Sequence, residues 1–146
     1  MAEGILRDLL AIPALAAARV SSAGIAAAPG IPASPHSVTV CAENGIDIAG
    51  HRSRPLSRPL IAESDLILTM EDHHRMAAER LDPARADRVH LLARYGAEHP
   101  EAVLTGVPDP IGGDLDDYRR AYERIHEQMT AALPRIERNI LAGVES

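Results

Sequence analysis

Asp65-Leu66-Ile67-Leu68-Thr69-Met70 is a brief apolar run with Glu71-Asp72 directly behind it. It is too short for a buried helix and fits a strand covered on both faces. Glu71 and Asp72 then put negative charge where a following helix places the positive end of its dipole. Downstream, Arg88-Val89-His90-Leu91-Leu92 reads as a second strand. Upstream, Ala18-Arg19-Val20-Ser21-Ser22-Ala23-Gly24 reads as a further short strand running into a Gly-rich turn.

Helices occupy the intervals. Residues 1–10 read as helix from the first residue, with Pro13 helping to end it. Ser34 before Pro35 is an N-cap with proline at the first helical position, and Asn44-Gly45 is the matching stop. A short helix is expected over 57–63. From Asp114 onward, Tyr118, Tyr122, Ile125, Met129, Ala132, Ile136 and Ile140 recur at helical spacing as one apolar stripe, with an interruption expected at Pro134. Helices alternating with short buried strands predict an α/β fold with a parallel sheet in a single domain over 1–146, without repeats or linkers.

Composition narrows the function. The 146 residues contain no Phe or Trp, so the core is aliphatic and stacking on single-stranded nucleic acid is disfavoured. A net charge of -6 repels phosphate backbones and anionic membranes. All 15 basic residues are arginines, which excludes a Lys Schiff base and the Lys of a nucleotide-binding loop. No stretch approaches the ~18 apolar residues that span a bilayer, and no secretory leader is visible. A cytoplasmic protein with no membrane or nucleic-acid partner is expected.

Chemistry concentrates at Val107-Pro108-Asp109-Pro110-Ile111-Gly112-Gly113. Two prolines restrict the backbone on either side of Asp109, and the glycines permit close approach of a ligand, so this loop can hold a carboxyl group at a pocket rim. Three other features weigh less. Cys41 is the only thiol, yet Asp47 rather than Arg stands six residues on, and its place in a helix suits a small buried side chain. His73-His74 beside Glu71-Asp72 is read as an exposed helix start and no metal is expected, because adjacent helical residues point in different directions. Arg52, Arg54 and Arg58 form a small basic patch, read first as a solvated loop.

Met-Ala-Glu at the start, Ser22-Ala23-Gly24, Ser34-Pro35-His36, Gly50-His51 with Arg54-Pro55-Leu56, the strand at 65–70 and Asp109-Pro110 before a long helix together resemble the low-molecular-weight protein tyrosine phosphatase family. The likeness is strongest to its bacterial branch, which includes protein arginine phosphatases, and it implies a three-layer doubly wound parallel sheet. The resemblance implies a thiolate attacking phosphorus inside a Cys-X5-Arg loop, a cysteinyl-phosphate, and hydrolysis by water, with no cofactor. It implies that Asp109 is the general acid and base, that Pro110, Ile111 and Gly112 line the substrate pocket, and that Ser22 and His51 support the phosphate loop from behind. The partner would be a protein phosphorylated on tyrosine or arginine.

In complete members of that family a strand and a Cys-X5-Arg-Ser-Pro loop precede the Met-Ala-Glu helix. The resemblance therefore predicts a chain truncated at its N-terminus, lacking the first, central strand and the nucleophile, and inactive as written. It further predicts unpaired edges at 19–23 and 65–70, hence low stability or pairing with another chain. A non-catalytic binding remnant is the alternative. Arsenate reduction on the same fold is less favoured, because no resolving cysteines are present.

Overall fold

Ile67–Thr69 forms strand β1 and Val89–Leu91 forms strand β2 of a computed structural model that describes residues 1–103 and 105–144. The two strands pair in parallel, with Ile67 opposite Val89, Leu68 opposite His90 and Thr69 opposite Leu91. The crossover runs through helix α4 (Asp72–Leu81), which follows the short helix α3 (Arg58–Glu63) and β1, and then through a 3₁₀ segment at Pro83–Arg88. Successive side chains of a strand point to opposite faces. Ile67 accordingly packs with Ile61, Ala78 and Val89 under the short helix α3 and α4, whereas Leu66, Leu68 and Met70 join the main core on the other face. This is the layered parallel α/β arrangement expected from the sequence.

The helices are α1 (Ala2–Leu9), α2 (Pro35–Glu43), α3 (Arg58–Glu63), α4 (Asp72–Leu81), α5 (Leu92–Tyr95) and α6 (Leu115–Val144). Ser34 Oγ accepts the Ser37 N–H at 3.2 Å to cap α2, and Gly45, at φ +76°, turns the chain after it. Helix α6 is the keel of the main core: Tyr118, Tyr122, Ile125, Met129, Ala132 and Ile136 are buried along one face against Ile5, Val40, Cys41 and Leu92. Gly96 ends α5 against the α6 backbone at Ala132, where a Cβ would collide with the main chain.

Two expectations are corrected. The helix is not interrupted at Pro134, which lies within α6. The ring removes one N–H and clashes mildly, but the buried positions on either side, Met129, Ala132 and Ile136, hold the helix continuous while Pro134 itself faces solvent. The segment 18–24 is also not a strand. Its residues alternate half-buried and exposed as a strand would, but among the described residues it makes no ladder beyond a single parallel bridge from Gly24 to Pro55. Two arginine side chains take its carbonyls instead: Arg7 Nη2 donates to Val20 O at 3.2 Å and Arg54 Nε to Ser22 O at 2.9 Å. No helix among the described residues is long and apolar enough to cross a membrane.

Candidate active site

The Asp109 loop leaves the end of β1 at a fixed point, where the Val107 N–H donates to Met70 O at 2.8 Å and the Val107 side chain is buried. Pro108 follows, and the Asp109 carboxylate accepts the Ile111 N–H at 3.0 Å, an Asx turn that aims it from a rigid base. Gly112, at φ +79°, and a Gly113 N–H to Pro110 O bond of 2.9 Å complete the reversal. Helix α6 then starts with a reciprocal cap: Asp114 Oδ1 accepts the Asp117 N–H and Asp117 Oδ2 accepts the Asp114 N–H, each at 2.9 Å. These bonds, helped by Arg120, hold the Asp117 carboxyl below its usual range.

Asp109 is exposed at the rim of a cleft of about 580 Å³ between this loop and α6, lined also by Pro110, Ile111, Asp117, Arg120 and Arg124. Ile111 is 79% exposed, which leaves an aliphatic side chain free to meet a ligand. Gly112 shapes the turn and is not part of the cleft wall.

Ser22 and His51 come together through a third residue. Ser22 Oγ donates to Glu3 Oε2 at 2.5 Å, and His51 Nδ1 lies 3.5 Å from the same oxygen. Arg7, one turn along α1, reaches Glu3 Oε1 at 2.5 Å. The largely buried Glu3 carboxylate thus ties the first turn of α1 to two loops. Among the described residues Asp109 makes no hydrogen bond or ion pair with this trio. Glu3, which joins Ser22 and His51, leaves only one signal in the sequence, its i, i+4 spacing from Arg7 at a helix start.

Cys41 is fully buried in α2, and burial pushes its thiol up, so it is not an available nucleophile. Of the three arginines, Arg52 donates to the Ala49 and His51 carbonyls, Arg54 to Ser22 O, and Arg58 sits 3.7 Å from Asp82. The histidine pair also differs from expectation. His73 and His74 do not diverge; their ring centroids are 4.0 Å apart and the rings are tilted by 49°. Burial, then the charge of His73, holds His74 below its ordinary range, with Glu71 and Asp109 opposing.

A family model described as low molecular weight phosphotyrosine protein phosphatase matches residues 1–142. The chain is 34% identical over 136 residues to a probable low molecular weight protein-tyrosine-phosphatase, EpsP, of Ralstonia nicotianae, covering 93% of this chain and 86% of that protein. It is 31% identical over 127 residues to the protein-arginine-phosphatase of Bacillus subtilis, covering 87% and 81%. Among solved structures, the YwlE arginine phosphatase from Geobacillus stearothermophilus superposes with a TM-score of 0.83 at 26% identity, over 97% of this chain and 86% of that one. Vibrio vulnificus Wzb in complex with benzylphosphonate superposes with a TM-score of 0.74 at 30% identity, over 89% and 84%.

Proposed function

Because this chain belongs to the low molecular weight phosphotyrosine protein phosphatase family, we propose that it serves the dephosphorylation of proteins carrying phosphotyrosine or phosphoarginine. In this reading Asp109 protonates the leaving oxygen or nitrogen and then takes a proton from the attacking water. Pro110 and Ile111 form the wall beside the leaving group, with Gly112 setting the turn. Ser22, His51 and Glu3 brace the segment that cradles the phosphate. The substrate is a phosphorylated protein met in the cytoplasm.

The observation that carries the reading is the Asp109 loop: an exposed carboxylate on a proline-framed turn, anchored at Met70 and capped into α6. The covalent step needs a thiolate and a guanidinium in a Cys-X5-Arg loop, and these 146 residues contain neither in that spacing. A nucleophile would have to come from a segment outside them, and on their own they are expected to be inactive. A second reading, a binding module without catalysis, is favoured by the ladder-free segment at 18–24.

The test compares the 146 residues with a version carrying an apolar strand and Cys-X5-Arg-Ser-Pro ahead of Met1, on p-nitrophenyl phosphate, a tyrosine-phosphorylated protein and an arginine-phosphorylated protein. The expected result is hydrolysis by the extended chain alone, lost when Asp109 becomes Asn on the protein substrates. A folded extended chain with no turnover on any of the three would overturn the enzyme reading in favour of the binding one.

A further inference from the structure

The first turn of α4 gathers three ligand atoms that have little other use. Glu71 is the N-cap residue but its side chain makes no capping bond, so its carboxylate is free to act elsewhere. His73 Nδ1 lies 3.9 Å from Glu71 Oε2, and the ligand atoms of Glu71, His73 and His74 all fall within 4.8 Å of one another. Among the described residues no hydrogen bond engages any of these three side chains. Glu71 and His74 are half-buried and His73 is exposed, so the cluster opens to solvent on one side.

We propose that Glu71, His73 and His74 form a zinc-binding site, with the carboxylate and two imidazoles as ligands and water in the fourth position. Zinc takes nitrogen at ~2.0–2.1 Å and carboxylate oxygen at ~2.0–2.2 Å in a tetrahedron. That geometry separates ligand atoms by about 3.3 Å, so atoms that lie within 4.8 Å of one another need draw together by no more than about 1.5 Å. Two imidazoles with one carboxylate suit zinc over magnesium or calcium, which favour all-oxygen sites. The positive end of the α4 dipole opposes a cation, and the negative charge of the Glu71 ligand counters it.

The site adjoins the candidate active site. Met70, immediately before Glu71, holds the Asp109 loop through its carbonyl, and the charge of Asp109 reaches His74. An ion held here would lie within electrostatic reach of the proposed general acid, although its binding does not rest on that role.

The test is calorimetric titration of the 146-residue chain with zinc chloride in chelator-free buffer, alongside the visible spectrum of the cobalt complex. The expected result is one saturable site in the micromolar range and a tetrahedral cobalt spectrum. His73→Ala and His74→Ala should each weaken zinc by about tenfold or more, and Glu71→Gln should weaken it less. His99→Ala, remote in sequence and paired with Glu101, should leave it unchanged. Because the three positions lie at an accessible helix start, circular dichroism should show each variant folded as the parent is. Absence of saturable binding in the parent, or zinc affinity unchanged in both histidine variants, would overturn the site.

Discussion

The Met70 carbonyl accepts the Val107 N–H at 2.8 Å, so the end of β1 and the start of the Asp109 loop are one hydrogen-bonded unit. The chain between them can approach so closely because position 106 is glycine; a Cβ there would run into the Met70 carbonyl. Gly106→Ala should displace the loop and destabilise the fold by about 1–3 kcal/mol, the usual cost of forcing extra volume into a packed site. Urea unfolding would measure this, and an unchanged midpoint would show that the loop yields freely.

Asp109→Asn should leave stability within about 0.5 kcal/mol of the parent, since the side chain is exposed and the amide oxygen still accepts the Ile111 N–H. In an extended chain carrying Cys-X5-Arg, kcat on a phosphoprotein should fall about 10²–10⁴-fold. Equal kcat for parent and variant would remove Asp109 from the acid role.

Glu3→Gln tests the brace at the other end of the site. The amide keeps one acceptor for Ser22 but loses the charge that meets Arg7 and faces His51. A loss of about 1–2 kcal/mol is expected, above that of an ordinary surface pair because the Glu3 side chain is only 12% exposed. Thermal unfolding of Glu3→Gln beside Arg7→Gln separates the two contributions; equal small losses would reduce Glu3 to a surface partner of Arg7.

His90 should make the fold acid-sensitive. Burial first, and then the guanidinium of Arg135, hold its imidazole below the ordinary range, against the opposing influence of Asp87. The unfolded chain therefore binds the proton more tightly than the folded one. Stability from this group is complete above about pH 6.5 and is lost as pH falls through the lower folded value. His90→Gln should flatten the decline in urea midpoint between pH 7 and 5, leaving the slope that His74 contributes with the same sign. A slope identical to the parent would contradict it.

Amides of 19–23 should exchange with solvent far faster than those of Thr69 or Leu91, since Arg7 and Arg54 occupy two carbonyls of the segment while no strand pairs with its N–H groups among the described residues. Slow exchange across 19–23 would mean that another chain covers it in solution.

Much of this architecture was legible in the chain. The run at 65–70, the Ser34-Pro35 cap and the stripe from Tyr118 to Ile136 depend on neighbours within one or two turns, and period and propensity encode such neighbours directly. The segment 18–24 carries the alternation of a strand, but a strand also needs a partner, which no local pattern records. The same holds for the site. Asp109 between prolines announces itself, whereas the role of Glu3 arises only when residues 3, 22 and 51 meet in space. His73 and His74 are neighbours on α4, and that their rings lie 4.0 Å apart depends on side-chain rotamers, which sequence spacing does not record.

The anchors on either side of the Asp109 loop also fix how it can move. Val107 is pinned to Met70 and Asp114 is locked into its cap with Asp117, leaving 108–113 as a short arch between two clamped ends. Pro108 and Pro110 each remove a rotation from that arch, and the Asx turn ties the carboxylate to the backbone beside it. Such a linkage has few independent motions: it can tilt as a unit about its two feet, with its tip at Ile111 and Gly112 travelling furthest. Asp109 stands two residues from the Val107 foot and so travels less than Ile111 at the tip, which, in the proposed reaction, would let the wall shift for substrates of different girth while the carboxylate stays near its place.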